Sequence, residues 1–295
     1  MRIRTIGIGV LLALLLGACG GSPSGASAIP GQIAFVSDRD GSRQIFVVRP
    51  DGRALTQITR GGSYHVAPAW SPDSRQLAYV SDRADRTWQI YVMNADGSGQ
   101  RRLVAHPPAS DDNPSWSPDG ARIAFDVFYA NNFDIAVVAA DGSTLASTTH
   151  DATADTHPTW SPAGSRIAFE SGSGDDKDDI YTMRADGSEL TNLTNDPAHD
   201  AVPEWSPDGA RIAFVSDRSG NRDVYLMSAD GSGVTNLTND PADDGSPTWS
   251  PDGAWLAFVS NRGGNFDIYT MRADGTAVTN LTHSQAVDAD PAWGR

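Results

Sequence analysis

Residues 203–238, PEWSPDGARIAFVSDRSGNRDVYLMSADGSGVTNLT, form a sequence repeat that recurs with small changes along most of the chain. The tryptophan of the opening Pro-x-Trp recurs at intervals of 46, 44, 45, 44 and 44 residues. A period of about 20–50 residues is typical of repeat architectures, in which each unit buries its apolar surface against its neighbours. The six tryptophans are Trp70, Trp116, Trp160, Trp205, Trp249 and Trp293.

Each unit predicts four short β-strands separated by turns. The first contains Pro-x-Trp, the second and third are the apolar runs RIAFVS and DVYLM, and the fourth ends in Asn-Leu-Thr. Runs of this length that are rich in β-branched and aromatic residues are typical of strands. Ser-Pro-Asp-Gly and Ala-Asp-Gly are turn sequences, because proline presets φ and glycine accepts a positive φ. We therefore expect an all-β, six-bladed β-propeller with four antiparallel strands per blade.

The two ends of the chain complement each other. The repeat region starts at the second strand of a unit, IAFVSDRDGSRQIFVV, whereas the last residues, DPAWGR, supply only a first strand. A blade shared between the N- and C-termini would close the ring and cover the strand edges and apolar faces that an open array exposes. A linear solenoid is the alternative, but it does not explain the complementary ends. We place the propeller at residues 31–295.

The N-terminal segment is typical of a secreted protein. Its apolar run, IGIGVLLALLLGA, follows two arginines and is too short to span a bilayer comfortably. The sequence Leu-Gly-Ala-Cys at 16–19 resembles a bacterial lipobox. We expect residues 1–18 to be a lipoprotein signal peptide, Cys19 to be lipidated, and residues 19–30 to be a flexible tether. The alternative is an ordinary signal peptide with an incidental Cys19.

The charge balance limits the choice of partner. The chain has 37 acidic and 22 basic residues, a net charge of −15. Such a surface is a poor partner for nucleic acid, whereas a basic protein, a cation or a neutral glycan is easier to accommodate. The alternative is that the acidity only aids solubility. We expect an extracytoplasmic monomer, anchored to a membrane of the cell envelope by lipid, with no cofactor.

The repeated phrase resembles a known propeller repeat. Segments such as PSWSPDGARIAF and PTWSPDGAWLAFVSNR are similar to the repeat of the TolB family, which is related to WD-type repeats. The resemblance covers essentially all of residues 31–295. It implies a scaffold without catalysis that binds a protein or peptide partner at the upper mouth of its channel.

One position per unit is a candidate for partner binding. It lies five residues before each tryptophan, which the propeller topology places near the mouth of the central channel. Five of the six residues are aspartates, and we expect an acidic ring that attracts a cation or a basic peptide. The alternative is that each carboxylate caps a loop by accepting backbone N–H groups. The six residues are His65, Asp111, Asp155, Asp200, Asp244 and Asp288.

Catalysis and metal binding have weaker support in the sequence. Among the histidines only His65 has the register expected of a channel residue, and we predict no metal site. The spaced Asp-x-Asp-x-Asp-Gly order of calcium loops is missing, as is a Gly-x-Ser-x-Gly elbow in a strand–turn–helix context. We therefore expect no enzyme.

Two alternative functions remain open. One is a glycan-active or hydrolytic enzyme that uses the propeller channel. The other is a binder of cell-wall glycan, for which exposed aromatic residues on the upper loops would be needed. Trp88 and the pair Phe128–Tyr129, in neighbouring blades, are the candidates for such contacts.

The anchor can be tested directly. The variant Cys19→Ser should be released from membranes, because a lipid chain is the only anchor that the sequence predicts. Membranes are washed with salt and the protein is followed by immunoblotting. A Cys19→Ser variant that stays with the membranes after the wash would contradict the lipoprotein interpretation.

Overall fold

The structure, a computed structural model, describes residues 29–84, 87–105, 109–172 and 177–295. The predicted signal peptide, Cys19 and most of the predicted tether lie outside these residues. The described residues form 24 β-strands, arranged as six four-stranded sheets. All strand pairs are antiparallel. The predicted fold class, a six-bladed β-propeller, is confirmed.

Each blade consists of an inner, a second, a third and an outer strand. The inner strands are β4 (His65–Trp70), β8 (Ser110–Trp116), β12 (Ala154–Trp160), β16 (Asp200–Trp205), β20 (Asp244–Trp249) and β24 (Asp288–Gly294). The second strands are β1 (Gln32–Ser37), β5 (Gln76–Ser81), β9 (Arg122–Tyr129), β13 (Arg166–Gly172), β17 (Arg211–Ser216) and β21 (Trp255–Ser260).

The remaining strands form the outer half of each blade. The third strands are β2 (Gln44–Val48), β6 (Gln89–Asn94), β10 (Asn132–Ala139), β14 (Asp179–Arg184), β18 (Asp223–Ser228) and β22 (Asp267–Arg272). The outer strands are β3 (Thr56–Gln57), β7 (Arg101–Arg102), β11 (Leu145–Ser147), β15 (Thr191–Asn192), β19 (Thr235–Asn236) and β23 (Thr279–Asn280). Blade 1 consists of β24 and β1–β3, and blades 2 to 6 follow in chain order with four strands each.

The core lies between the blades. In β17, Ile212, Ala213 and Phe214 are fully buried, so both faces of the strand are covered. Phe214 of blade 5 belongs to one apolar cluster with Ala168 and Ile180 of blade 4. Burying a phenylalanine of this kind contributes about 1.5–3 kcal/mol. Because this burial requires two adjacent blades, a blade on its own would leave the same side chains in water.

The ends of the chain meet in blade 1. Strand β24 pairs with β1, with Ile33 opposite Trp293. The indole N–H of Trp293 donates a hydrogen bond to the carbonyl oxygen of Pro30 at 3.0 Å. At the other end of the pair, the backbone N–H of Val287 donates to the carboxylate of Asp38 at 2.9 Å. The predicted blade shared between the N- and C-termini is confirmed.

The Ser-Pro-Asp-Gly segments are turns, as predicted. In blade 5 the carboxylate of Asp208 accepts hydrogen bonds from the Ser206 hydroxyl and from the Ala210 N–H, the latter at 3.0 Å. These bonds hold the pKa of Asp208 below its ordinary value. Gly209 has a φ of 70°, which explains the glycine at this position.

A buried aspartate explains the repeated Asn-Leu-Thr. Asp223, at the start of β18, is fully buried. It accepts hydrogen bonds from Asn236 at 2.8 Å and Thr238 at 3.5 Å in the outer part of the blade, and from Ser219 of the preceding loop at 2.6 Å. Asp267 has the same bonds to Asn280 and Thr282. These aspartates therefore tie the short outer strand to the rest of the blade.

The described part of the chain has no helix of sufficient length and apolarity to cross a membrane.

Removal of the closing strand should destabilise the whole ring. Loss of a core tryptophan costs about 3–5 kcal/mol, and deletion of residues 290–295 removes Trp293 together with most of β24. Since domains are stable by only about 5–15 kcal/mol, the deletion should lower the melting temperature sharply or prevent folding. A chain lacking only Arg295 is the control. Equal melting temperatures for the six-residue deletion and the full chain would contradict closure by a shared blade.

Candidate functional site

The six inner strands surround a central channel that contains a cavity of about 300 Å³. Every inner strand contributes the residues around its proline to the channel wall. The residues that directly precede the six prolines are Ala67, Asn113, His157, Val202, Ser246 and Asp290.

A β-bulge in each inner strand shapes this wall. All six pre-proline residues have a positive φ between 47° and 51°. In blade 5 the pairing passes from Ala201–Val215 to Glu204–Ala213, which leaves one extra residue on the inner strand. The N–H groups at the bulges donate to acids of the preceding blade: His157 to Asp126 at 3.2 Å, and Val202 to Glu170 at 3.4 Å.

Asp126 and Glu170 are departures from the repeat. They stand in β9 and β13 at the position where the other four second strands have valine. Asp126 is 1% exposed and also accepts a hydrogen bond from the side-chain amide of Asn113 at 3.0 Å. The sequence interpretation missed both residues. A charged residue inside the phrase Ile-Ala-Phe-Val-Ser was the signal that could have found them.

His157 is the cation of this acidic wall. Its Nδ1 lies 3.2 Å from a carboxylate oxygen of Glu170. Burial alone would lower the pKa of His157, but the hydrogen bond and charge of Glu170, with the charges of Asp126 and Asp112, raise that pKa to about 9. The same contact holds the pKa of Glu170 below its ordinary value, against the effect of burial. At neutral pH the pair is therefore an imidazolium and a carboxylate.

The other acids at or behind the wall have pKa values above the ordinary value of a carboxyl group. Burial, with repulsion from Asp126, raises the pKa of Asp112 to about 6. Burial raises the pKa of Glu204 to about 7, although this carboxylate accepts a hydrogen bond from the Thr159 hydroxyl at 3.0 Å. The pKa of Asp290 is also raised by burial. A cation that entered the channel would lower these pKa values and bind more tightly as the acids ionise.

The predicted acidic ring is arranged differently. The six residues are at most 2% exposed, and none of them is among the residues that line the channel cavity. Asp200, Asp244 and Asp288 each accept hydrogen bonds on both carboxylate oxygens from an arginine, at 2.8–3.1 Å. The bulge accounts for the difference, because the residues two positions further along form the wall. Partner binding by these residues stays a prediction. Because the aspartates are buried, a partner would contact the arginines that are bonded to Asp200, Asp244 and Asp288.

The three other predicted residues have different surroundings. His65 lies 3.4 Å from Arg83 and packs edge-on against Tyr79; burial, with Arg83, lowers its pKa to about 4. Burial raises the pKa of Asp111 to about 7, opposed in part by Arg102. Asp155 lines a separate cavity between blades 3 and 4.

The expectation that only His65 would face the channel is wrong, since His157 is the histidine of the wall. A second histidine, His199, belongs to a group with Glu170 and Asp178 whose ligand atoms lie within 4.8 Å of one another. Imidazole and carboxylate groups at such distances suit a divalent cation. The predicted absence of a bound metal is not tested by this geometry and stays a prediction.

The aromatic residues proposed for glycan contact differ in exposure, since Trp88 is half-buried and Phe128 and Tyr129 are exposed. Trp88 stacks on Tyr64 with a ring-centroid distance of 6.3 Å and an interplanar angle of 25°. In blade 3, Tyr129 is 61% exposed and Phe128 packs against Phe133 at 4.7 Å.

Residues 18–107, 171–243 and 220–295 match the family model of the TolB beta propeller domain. The chain belongs to this family. The resemblance to the TolB repeat, which was inferred from the repeated phrase, is thereby confirmed.

Within the TolB family, the chain matches only part of its curated relatives. The Tol-Pal system protein TolB of Desulfosudis oleivorans is 31% identical over 118 residues, which are 40% of this chain and 26% of that protein. An uncharacterized peptidase, YuxL of Bacillus subtilis, is 42% identical over 65 residues, 22% of this chain and 10% of the peptidase. The crystal structure of TolB from Acinetobacter baumannii has a TM-score of 0.80 at 24% identity and covers 90% of this chain and 67% of that one.

Replacement of His157 should destabilise the protein in a pH-dependent way. Its folded pKa of about 9 exceeds the ordinary value of 6.5, so the stabilisation is fully present below about pH 6.5 and is lost as the pH rises through about 9. Because the side chain is 34% exposed and water screens the charges, His157→Gln should cost about 1–2 kcal/mol at about pH 6 and less at about pH 10.

Thermal unfolding across this pH range measures the effect. His283→Gln is the control, since His283 is exposed and also has a positive φ. An equal cost of His157→Gln at both ends of the range would exclude the charged pair with Glu170.

Proposed function

We propose that this chain is a lipid-anchored, extracytoplasmic propeller that binds a protein or peptide partner at the upper mouth of its channel and catalyses no reaction. Its membership of the TolB propeller family supports a binding scaffold in the cell envelope. The predicted lipid anchor at Cys19 would hold the propeller at a membrane surface.

The acidic channel wall is the observation that carries this proposal. Glu204, Asp290 and His157 line the channel cavity. Asp112, Asp126 and Glu170 lie behind this wall, where their charges raise the pKa of His157. Carboxylates in a partly closed channel attract cations, because their fields add while little water screens them. A segment of a partner that carries lysine or arginine therefore fits this mouth better than an acidic or apolar segment.

The ring residues supply a second layer of the same site. Arg218 and Arg262, held by Asp200 and Asp244, are 24% and 22% exposed. They would contact the acidic groups of a partner whose basic segment occupies the channel. Opposite charges on neighbouring surfaces favour one orientation of the partner.

A wall-glycan binder is the second candidate, and the stacked pair Tyr64–Trp88 favours it. Planar aromatic faces such as this pair and exposed Tyr129 are the kind of surface on which sugar rings pack. A hydrolytic enzyme is a weaker candidate, since the similarity to the peptidase covers only 10% of that protein.

A labelled octalysine peptide tests the channel. The double variant Asp126→Asn, Glu170→Gln should bind it at least about tenfold more weakly than wild type, because the two carboxylates directly behind the channel wall are neutralised. The control is Asp230→Asn, Asp274→Asn, which removes two exposed charges from the Ala-Asp-Gly turns. Fluorescence polarisation at low and high salt gives the affinities.

The two double variants separate the interpretations. Equal weakening by both would mean that only net charge matters and would contradict a channel site. Binding of a soluble glycan that is lost in Trp88→Ala, with no octalysine binding, would replace the proposal by the glycan-binding function.

A further inference from the structure

A partly exposed arginine that pairs with a buried aspartate recurs in three blades, and we call this arrangement an arginine clamp. In blade 5, one guanidinium nitrogen of Arg218 donates to both carboxylate oxygens of Asp200 at 2.8 Å and lies 2.8 Å from Asp196. The Nε of Arg218 donates to the hydroxyl of Ser216 at 2.8 Å. Asp200 is fully buried, so the arginine compensates a carboxylate that would otherwise be costly to bury.

The same arginine covers two aromatic rings. Its guanidinium carbon lies 5.5 Å from the ring centroid of Phe214 and 5.1 Å from that of Tyr225. Blades 6 and 1 repeat the arrangement with Arg262 and Arg39. Cation–π contacts of this kind add to the ion pair.

Blade 4 has residues that correspond to the partners of this arginine, but it has no arginine at the corresponding position. Asp155 and Asp151 correspond to Asp200 and Asp196, and Ser171 corresponds to Ser216. The rings of Phe169 and Tyr181 lie 6.0 Å apart at 31°, against 5.8 Å and 34° for the rings under Arg218. The sequence has Ser173 where blades 1, 2, 5 and 6 have arginine and blade 3 has Tyr129; Ser173 is outside the described residues. We use the name arginine-free clamp for five described residues of blade 4: Asp151, Asp155, Phe169, Ser171 and Tyr181.

A cavity of about 290 Å³ lies at the arginine-free clamp. Asp151, Asp155, Phe169 and Ser171 are among its lining residues. This volume far exceeds the ~30 Å³ that one water molecule takes up in the liquid. There is therefore room for a planar cation between the carboxylates and the ring.

The chain itself compensates the two carboxylates only in part. The hydroxyl of Thr153 donates to Asp151 and lies 3.4 Å from Asp155, and the hydroxyl of Ser171 lies 3.3 Å from that of Thr153. Hydroxyls supply hydrogen bonds but no charge. Burial raises the pKa of Asp155 to about 6; hydrogen bonds from Ser171 and Thr149 oppose this shift, and repulsion from Asp151 and Asp134 adds to it.

Basic groups of the described chain do not replace the arginine. His150 is the basic residue that lines the cavity, and it is exposed. Lys177, the lysine that follows β13 in the chain, is exposed as well. The arginine-free clamp therefore combines a buried carboxylate, a second carboxylate and an aromatic ring, and it lacks their cation.

We propose that the arginine-free clamp binds a guanidinium group from another molecule, either the side chain of an arginine in a partner protein or free arginine. A guanidinium suits it better than an ammonium, because its planar fork can bond two carboxylates and also stack on a ring. The site is distinct from the central channel, and the proposal does not depend on the function of that channel.

Titration of the full-length protein with methylguanidinium, followed by NMR, tests the site. Binding should be saturable and at least about tenfold tighter than that of methylammonium. Asp155→Asn should weaken it at least about tenfold, and exposed Asp151→Asn, which carries little risk to folding, should weaken it in the same direction. Asp244→Asn is the matched control, since Arg262 already fills that clamp, and should leave the affinity unchanged.

Two further comparisons sharpen the test. Ser173→Arg should abolish methylguanidinium binding, because the chain would then supply its own cation. A capped peptide with one central arginine that binds more tightly than free arginine identifies a protein partner as the source, and the reverse order identifies free arginine. The proposal is overturned by an absence of saturable binding, by equal binding of methylammonium, by equal loss in Asp155→Asn and Asp244→Asn, or by unchanged binding in Ser173→Arg.

Discussion

The whole structure depends on one constraint: a blade is apolar on both faces, and only another blade can cover a face. Phe214 and Ile212 are fully buried because blade 4 packs against blade 5. A row of such units leaves one face uncovered at each of its two ends, whereas a ring leaves none. The pairing of β24 with β1 removes these ends. The position of every channel and clamp residue follows from that closure.

A regular ring makes the irregular blades informative. A feature that occurs in three or more blades is explained by folding, as the Arg218–Asp200 pair and the Asp208 turn illustrate. Blades 3 and 4 depart from this pattern, with Asp126 and Glu170 in place of valine and with Asp155 lacking its arginine. Buried acids are costly to a protein unless they are paired. Asp126 and Glu170 are paired with Asn113 and His157, whereas the groups that hydrogen-bond to Asp155 are hydroxyls.

The sequence was sufficient to predict the fold, because a 44-residue period with Pro-x-Trp is a pattern of the backbone itself. It was not sufficient for the site. The rule that alternate residues share a face places Asp200 at the channel, but the extra residue at Val202 interrupts the alternation. The positive φ of the residue before each proline could not be predicted from the sequence, because these residues are of six different types and none is a glycine. The partners of Asp200 were also hidden, since Arg218 comes from the loop after the second strand.

Closure of the ring is the central claim, and native-state hydrogen exchange tests it most directly. The backbone amides of β1 and β24 are compared with those of β16 and β17, a pair that lies within one uninterrupted stretch of chain. If the shared blade makes the ring one cooperative unit, both pairs should exchange with the same free energy of opening, equal to that of global unfolding. Exchange of the β1–β24 amides at a clearly lower free energy, while β16–β17 stay protected, would show that the ring opens at this blade and would contradict the account.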